Sequence, residues 1–295
     1  MSEAEVWTVR RLLEWTTGFF KNHGCSSPRL EAEVLLAHAL DVTRIELYTL
    51  FDTVPEGEKL AIFRSQVKRR AAGEPVAYLV GHKEFYSLDF CVTADTLIPR
   101  PETEQLVLEG IEYFRSKRKK GESGPFLALD LGTGSGCIAV ALAKNCAELN
   151  VLAVDCSENA LKVARSNAEK HGVAERVEFR CSDLFEQVPD EKTLDLLVSN
   201  PPYIKRAEYD ALEGTVRNYE PRGALLAGER GTEIVEKIVE LGPKRVKSGG
   251  KVLIEICPSI ADATLELAEK SGYFAEIALL ADFAGLKRTV SATVR

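Results

Sequence analysis

FLALDLGTGSGCIAVALAK, residues 126–144, is the stretch whose reading decides the fold. An apolar run, a turn carrying glycines at 132, 134 and 136, and a second apolar run without breakers read as a strand over Leu127–Leu131, a tight turn, and a helix over Cys137–Lys144. Glycines at alternate positions let the backbone bend sharply and let a ligand touch the main chain, while the N-terminus of the following helix directs its N–H groups into the same space. From Gly134 the sequence satisfies G-x-G-x-x-G/A, and Asp155 lies 19 residues beyond Gly136, where an acid that accepts ribose hydroxyls belongs. The loop alone leaves a nicotinamide dinucleotide and other adenosine cofactors equally open.

Further apolar segments continue the pattern. Strands are expected at Val151–Val154, Val177–Cys181, Leu194–Ser199 and Lys251–Ile256, with helices near Glu158–His171, Thr232–Val246 and Ser259–Lys270, and two more strands in the tail turned at Ala284-Gly285. Such alternation gives an α/β, Rossmann-like, mostly parallel sheet with helices on both faces. Upstream, apolar residues recur at helical spacing from Val6 to about Gly73, with Ser26-Ser27-Pro28 as a helix start, and Glu84–Val92 reads as a hairpin. The expected organisation is a small helical domain over residues 1–75, a linker with a β-hairpin over 76–100, and the large α/β domain over 101–295.

Composition narrows the setting. Of 295 residues 45% are apolar, enough for a sizeable core, and no apolar run approaches the roughly 18 residues of a membrane span. With no signal-peptide layout at the N-terminus, a cytoplasmic protein is expected. Seven cysteines without a C-x-x-C pair read as small buried hydrophobes, and the four histidines show no metal-binding spacing, so no metal is expected. The net charge of −7 gives no general attraction to nucleic acid, and the basic run Arg115–Lys120 reads as a solvated helix end and linker.

In a parallel sheet, ligands bind beyond the carboxyl ends of the strands. There stand the Gly132-Thr133-Gly134-Ser135-Gly136 turn, Asp155, the Asp183-Leu184-Phe185 segment, and Asn200-Pro201-Pro202-Tyr203. Asp183 is placed to accept from an adenine amino group, with Leu184 or Phe185 against the ring. The two prolines fix the backbone after the fourth strand and remove its N–H donors, so main-chain carbonyls and the Asn200 side-chain oxygen become acceptors held in place. Acceptors beside the flat ring of Tyr203 suit a planar group bearing an NH2: a glutamine amide or the exocyclic amine of a nucleobase. Such nitrogens are poor nucleophiles because their lone pair is delocalised. Holding both hydrogens orients the nitrogen toward an electrophile, and the methyl of S-adenosylmethionine fits, since its adenosine accounts for the glycine turn and Asp155.

The chain also resembles a known family, the release-factor glutamine N5-methyltransferases (HemK/PrmC group). The resemblance rests on Arg70, Pro75, Tyr78-Leu79, Gly81 and Phe85, on Leu97-Ile98-Pro99-Arg100-Pro101-Glu102-Thr103-Glu104, on the glycine turn with Asp155, on Asn200–Tyr203, and on Tyr219-Glu220-Pro221. It implies a helical N-terminal domain joined by a hairpin to a seven-stranded methyltransferase domain. The implied reaction is transfer of a methyl group from S-adenosylmethionine, leaving S-adenosylhomocysteine, to the glutamine of the Gly-Gly-Gln motif in class 1 peptide chain release factors. It also implies that Gly132–Gly136, Asp155, Asp183, Leu184 and Asn200 hold the cofactor and that Asn200–Tyr203 hold the glutamine and carry the transfer. The alternatives are a nucleic-acid amine methyltransferase, a ribosomal-protein glutamine methyltransferase, a cofactor-binding scaffold and a dehydrogenase. Residues 201–231 form a connection too long for a passive loop, expected to close over the substrate and to be helical around Ala207–Gly214.

Overall fold

The computed structural model describes residues 6–282 and 284–295. The chain divides into two compact units, residues 1–81 with 214–219, and residues 82–213 with 220–295. The first is helical, built from Val9–Asn22, Pro28–Leu40, Glu46–Thr49, Gly57–Ala71 and Val76–Val80. Its core is a cluster of Leu13, Phe20, Leu35, Leu36, Leu47 and Phe63, each almost wholly buried. Pro28 occupies the first turn of its helix as read, but the Ser27 side chain makes no capping bond. The buried Glu31 carboxylate instead accepts from Arg70 Nε at 2.8 Å, joining two helices.

The second unit begins with a hairpin, β1 (His82–Phe85) and β2 (Leu88–Cys91), turned by Tyr86 and Ser87, both in the left-handed region. A 3-10 turn at Pro101–Thr103 leads into the helix Glu104–Lys119. Then come β3 (Phe126–Leu131), β4 (Leu149–Asp155), β5 (Val177–Cys181), β6 (Leu194–Ser199), the short β7 (Ile204–Lys205) and β8 (Leu226–Gly228), β9 (Val246–Glu255), β10 (Phe274–Ala281) and β11 (Lys287–Val294). The main sheet has seven strands in the order β10-β11-β9-β6-β3-β4-β5. β3 pairs parallel with both β4 and β6, and only β11 runs against its neighbours.

Side chains alternate between the two faces of a strand, so each strand feeds two cores. Ala128, Val151, Ala153, Leu196 and Val198 pack with the helices Glu104–Lys119 and Cys137–Asn145 on one face. Leu129, Leu131, Leu152, Val154 and Leu197 pack with Glu233–Leu241 and Ala261–Ser271 on the other. The helix expected over Thr232–Val246 stops at Leu241, because Pro243 has no N–H to continue the ladder and the chain turns through Gly242–Lys244. β9 starts earlier than expected, at Val246, where Gly249 and Gly250 admit a register shift against β6.

The stretch expected to be helical around Ala207–Gly214 carries two four-residue helices at its ends, Arg206–Tyr209 and Gly214–Arg217. The basic run closes the helix Glu104–Lys119, where cations offset the partial negative charge of the terminal carbonyls. Lys117 pairs with Glu122 at 2.6 Å and Arg118 with Glu148 at 3.6 Å. The cysteines depart from the expectation of burial: Cys137 and Cys146 are buried, whereas Cys156 and Cys181 are exposed. No helix among the described residues is long and apolar enough to cross a membrane.

Two buried polar side chains hold the glycine turn. Asp130 is fully buried, and its Oδ2 accepts from Thr133 Oγ1 at 2.6 Å and from the Ala139 amide at 3.1 Å, tying the turn to the helix that follows. Its Oδ1 is buried without a partner, and burial pushes the carboxyl up to about 7, with nearby Asp155 adding to the shift. Asn167, also fully buried, accepts from the Cys91 amide at 2.8 Å and donates to the carbonyls of Cys91 at 3.0 Å and Ser135 at 2.9 Å. One carboxamide thus ends the hairpin and supports the turn. Asn167→Leu keeps the volume but strands an N–H and two carbonyls away from water. We expect a loss of roughly 2–4 kcal/mol in urea unfolding; an unchanged midpoint would contradict the assigned role. Asp130 holds its proton more tightly folded than unfolded. Its contribution to stability is therefore complete below about pH 4, declines as the pH rises, and is gone above about 7. Unfolding measured at fixed pH should show a shallower decline between about pH 4.5 and 7 in Asp130→Asn than in the native chain.

Candidate active site

β3 and β6 are neighbours in the sheet but lie on opposite sides of the point where the strand order reverses, and the crevice at their carboxyl ends is where such sheets bind ligands. Ser199 Oγ donates to the Leu131 carbonyl at 2.7 Å and locks the two strand ends together. A cavity of about 340 Å³ opens there, within the usual range for a small-molecule site. It is lined by Gly132, Thr133, Gly134, Ser135, Asp155, Asp183, Leu184, Asn200 and Pro202 among the residues singled out from the sequence.

The three glycines differ in what they do. Gly132 and Gly134 adopt φ of +77° and +55°, and a Cβ on either would meet nothing within 4 Å, so both border open space. Gly136, at φ +80°, caps the helix Cys137–Asn145, and a Cβ there would lie 3.0 Å from that of Ala164. It serves close helix packing and does not line the cavity. The amides of Gly132 and Thr133 both donate to the Val154 carbonyl at 2.9 Å, which folds the turn over the end of β4.

Asp155 lies at the end of β4. Its Oδ2 accepts from the Gly134 amide and its Oδ1 from the Ser157 amide, each at 2.9 Å, so the carboxylate is oriented before any ligand arrives. Each oxygen keeps a lone pair for a hydroxyl. At the next strand end Asp183 is exposed, and Leu184 is held at φ +48°. The buried Ser182 stabilises that strained turn, donating to the Leu184 carbonyl at 2.9 Å and accepting from the Gln187 amide at 3.0 Å. Of the two side chains left open for stacking, Leu184 borders the cavity, while Phe185 is buried in the core beneath the Arg245 guanidinium, 4.9 Å from its ring. Backbone strain at a pocket wall marks a side chain whose position matters.

At the fourth strand end, Asn200 Nδ2 donates to Thr103 Oγ1 at 3.0 Å, leaving Oδ1 as the unused acceptor of that carboxamide. Pro202 lines the cavity beside it; Pro201 is buried. The Tyr203 ring packs against the second core and is not part of the cavity wall. Burial, with the charge of Glu255 adding, raises its phenol well above the usual range.

The stretch 94–103, with Arg100 and Thr103, forms another wall. It is pinned by Glu220, whose buried carboxylate accepts from the Ile98 amide at 3.2 Å and from Arg100. The Tyr-Glu-Pro and Ile-Pro-Arg segments, read separately in the sequence, are two halves of one contact. Thr103, Glu220 and Glu255 were not among the sequence-derived candidates. The donor set fits an adenosine cofactor: a pre-oriented acid at the end of β4, an open glycine turn, an apolar wall at Leu184, and a carboxamide acceptor across the cavity.

Comparison with known proteins agrees with this layout. The profile described as the PrmC N-terminal domain matches residues 11–81, and that of the methyltransferase small domain matches residues 119–218. A release factor glutamine methyltransferase from Rhodopirellula baltica is 50% identical over 285 residues, 97% of this chain and 96% of its own. Another, from Geobacter sulfurreducens, is 41% identical over 271 residues, 91% of each chain. Among solved structures, the hMettl16 catalytic domain in complex with MAT2A 3'UTR hairpin 6 superposes with a TM-score of 0.54 at 16% identity, over 77% of this chain and 81% of that one, a likeness of fold alone. With the sequence relationship spanning both the helical and the sheet-bearing parts, the chain belongs to the release factor glutamine methyltransferase family.

Proposed function

We propose that this enzyme transfers a methyl group from S-adenosylmethionine to the side-chain amide nitrogen, N5, of the glutamine in the Gly-Gly-Gln motif of class 1 peptide chain release factors. The observation that carries the reading is the Asn200-Pro201-Pro202 corner, which brings an acceptor with a fixed partner to the same cavity as the glycine turn and Asp155. The relatives with that name match nearly the whole chain.

Asp155 accepts the ribose hydroxyls, and the Gly132–Gly136 turn gives the cofactor close access to the main chain. Leu184 covers one side of the adenine and Asp183 accepts from its amino group. When bound, S-adenosylmethionine supplies an electrophilic methyl on a sulfonium and leaves as S-adenosylhomocysteine. Asn200 Oδ1, with main-chain carbonyls of the proline pair, takes the two N–H groups of the glutamine. That grip aims the nitrogen along the line of displacement and favours its localised, pyramidal form. Positive charge grows on the nitrogen as the bond forms, so the hydrogen bonds to these acceptors strengthen toward the transition state; as the C–S bond breaks, one of the two N–H protons leaves to water and the neutral N5-methyl amide remains. Orientation of two reactants is worth at most roughly 7–11 kcal/mol, and positioning is the main contribution asked of the protein. Tyr203 stiffens the corner from below through its packing.

To the helical domain over residues 1–75 we assign docking of the release factor, and to residues 101–295 the transfer itself. The reaction places the enzyme in the cytoplasm with its substrate.

The decisive experiment supplies radiolabelled S-adenosylmethionine and a release factor, either native or with its Gly-Gly-Gln glutamine changed to asparagine. Label is expected on the first and not on the second; label on RNA or on a ribosomal protein instead would redirect the assignment. Asn200→Ala should lower kcat by about 10²–10³ while cofactor affinity stays within about threefold. Equal losses in both quantities would make Asn200 a cofactor ligand only.

A further inference from the structure

Within the helical unit, two helices leave a groove that the proposed chemistry does not use. Val9–Asn22, with Trp7 just before it, and Gly57–Ala71 enclose about 410 Å³ between them. Trp7, Trp15 and Phe19 wall it from the first helix, Phe63 and Val67 from the second. Trp7, Arg11, Trp15 and Phe19 recur every four residues and so share one side of their helix. Their rings form a ladder: Trp7 meets Trp15 edge-on at 6.2 Å between centroids, and Trp15 stacks on Phe19 at 5.0 Å. Trp15 is nonetheless 51% exposed, and tryptophan is the residue most often buried at the centre of a protein interface.

Charge gives the groove a sign. Arg64 and Lys68, one turn apart on the second helix, belong to its lining, and no carboxylate among the described residues does. Their neighbours Arg69 and Arg70 are paired, with Glu74 and Glu31. Arg64 and Lys68 are exposed and make no ion pair with any described residue. The Arg11 guanidinium lies 5.0 Å from the Trp7 ring and adds a cation at that end. Thr16, also in the lining, is fully buried, and its Oγ1 has no hydrogen-bond partner, an uncommon state for a buried hydroxyl.

The row from residue 7 to residue 19 runs about 18 Å along the helix axis, more than a compact small molecule covers. Two α-helices offer no open sheet edge, so an extended strand has nothing to pair with. A third helix has the matching shape. We propose that this groove docks an acidic amphipathic helix of a partner protein: large apolar side chains at i, i+4 and i+7 enter between the aromatic rows, and carboxylates on its flank meet Arg64 and Lys68. The inference concerns binding and does not depend on the identity of the methyl acceptor.

Trp7 and Trp15 are the protein's two tryptophans, so tryptophan emission reports on this groove alone. The full chain is titrated with a helical peptide of about 16 residues, free of Trp and Tyr, with Leu at i, i+4, i+7 and i+11 and Glu on both flanks. The same peptide with Lys in place of Glu is the control. The Glu peptide should move the emission to shorter wavelength, saturably and less tightly as salt rises. Its affinity should fall about tenfold in the Arg64→Glu, Lys68→Glu double variant, which should in turn gain affinity for the Lys peptide. Both positions are exposed, so the fold tolerates the reversal. Trp15→Ala should lose most of the binding, with Trp7 left as the reporter. No shift with the Glu peptide, equal binding of the two peptides, or an affinity unmoved by the double reversal overturns the proposal. So does an emission that changes when the chain alone is diluted, which makes the occupant a second copy, or one moved by phosphatidylglycerol vesicles and by neither peptide. Displacement of the Glu peptide by a release factor supports it and names the substrate as the bearer of the helix.

Discussion

The site exists because β3 and β6 lie side by side and parallel while their connections run to opposite sides. The chain leaves β3 toward β4 and β5, and returns across the sheet to β6. The cavity of about 340 Å³ opens between the two departing segments, above the strand ends. Ser199 holding the Leu131 carbonyl keeps that crevice at a fixed width. The glycine turn, the Asp155 carboxylate and the proline corner each occupy the first residues after a strand, so the geometry of the sheet sets their mutual distances and their own loops need supply only local shape.

The local shapes are supported by polar groups withdrawn from water. Asp130, Asn167, Ser182, Ser199 and Thr103 are all buried, and each is spent on a main-chain or side-chain partner in the cavity wall. A buried hydrogen bond is directional, and leaving one unmade is costly, so such groups fix conformation more sharply than apolar contact does. The strained φ of Leu184 is maintained in this way by Ser182. Groups that face the cavity from this wall are left little positional freedom.

Several features were legible because their causes are local. Glycine tolerance of positive φ marks the turn at 132–136, proline rigidity marks 200–203, and an acid at a strand end marks Asp155. Alternation of strand and helix gave the order of elements. Boundaries moved where a single residue intervened, as Pro243 ended a helix early and Gly249-Gly250 let β9 begin early. Tyr203 was read as facing a ligand and Phe185 as an alternative to Leu184 against the adenine, because an aromatic beside a strand end looks the same whether it turns outward or inward; both aromatics pack into the core.

What the sequence alone determined is the set of local backbone states and the apolar periodicity, and with them the fold class and the strand ends where chemistry belongs, since these follow from sterics within a few residues. Only the tertiary structure decided which distant residues complete the site. Thr103 meets Asn200 across 97 positions and Ile98 meets Glu220 across 122, while Cys91 meets Asn167 across 76. A threonine or a glutamate carries no mark of its partner in its own neighbourhood. The pairing is selected by the sheet, which brings the segments together and excludes water, so that each polar group must find whatever donor or acceptor the packing places beside it.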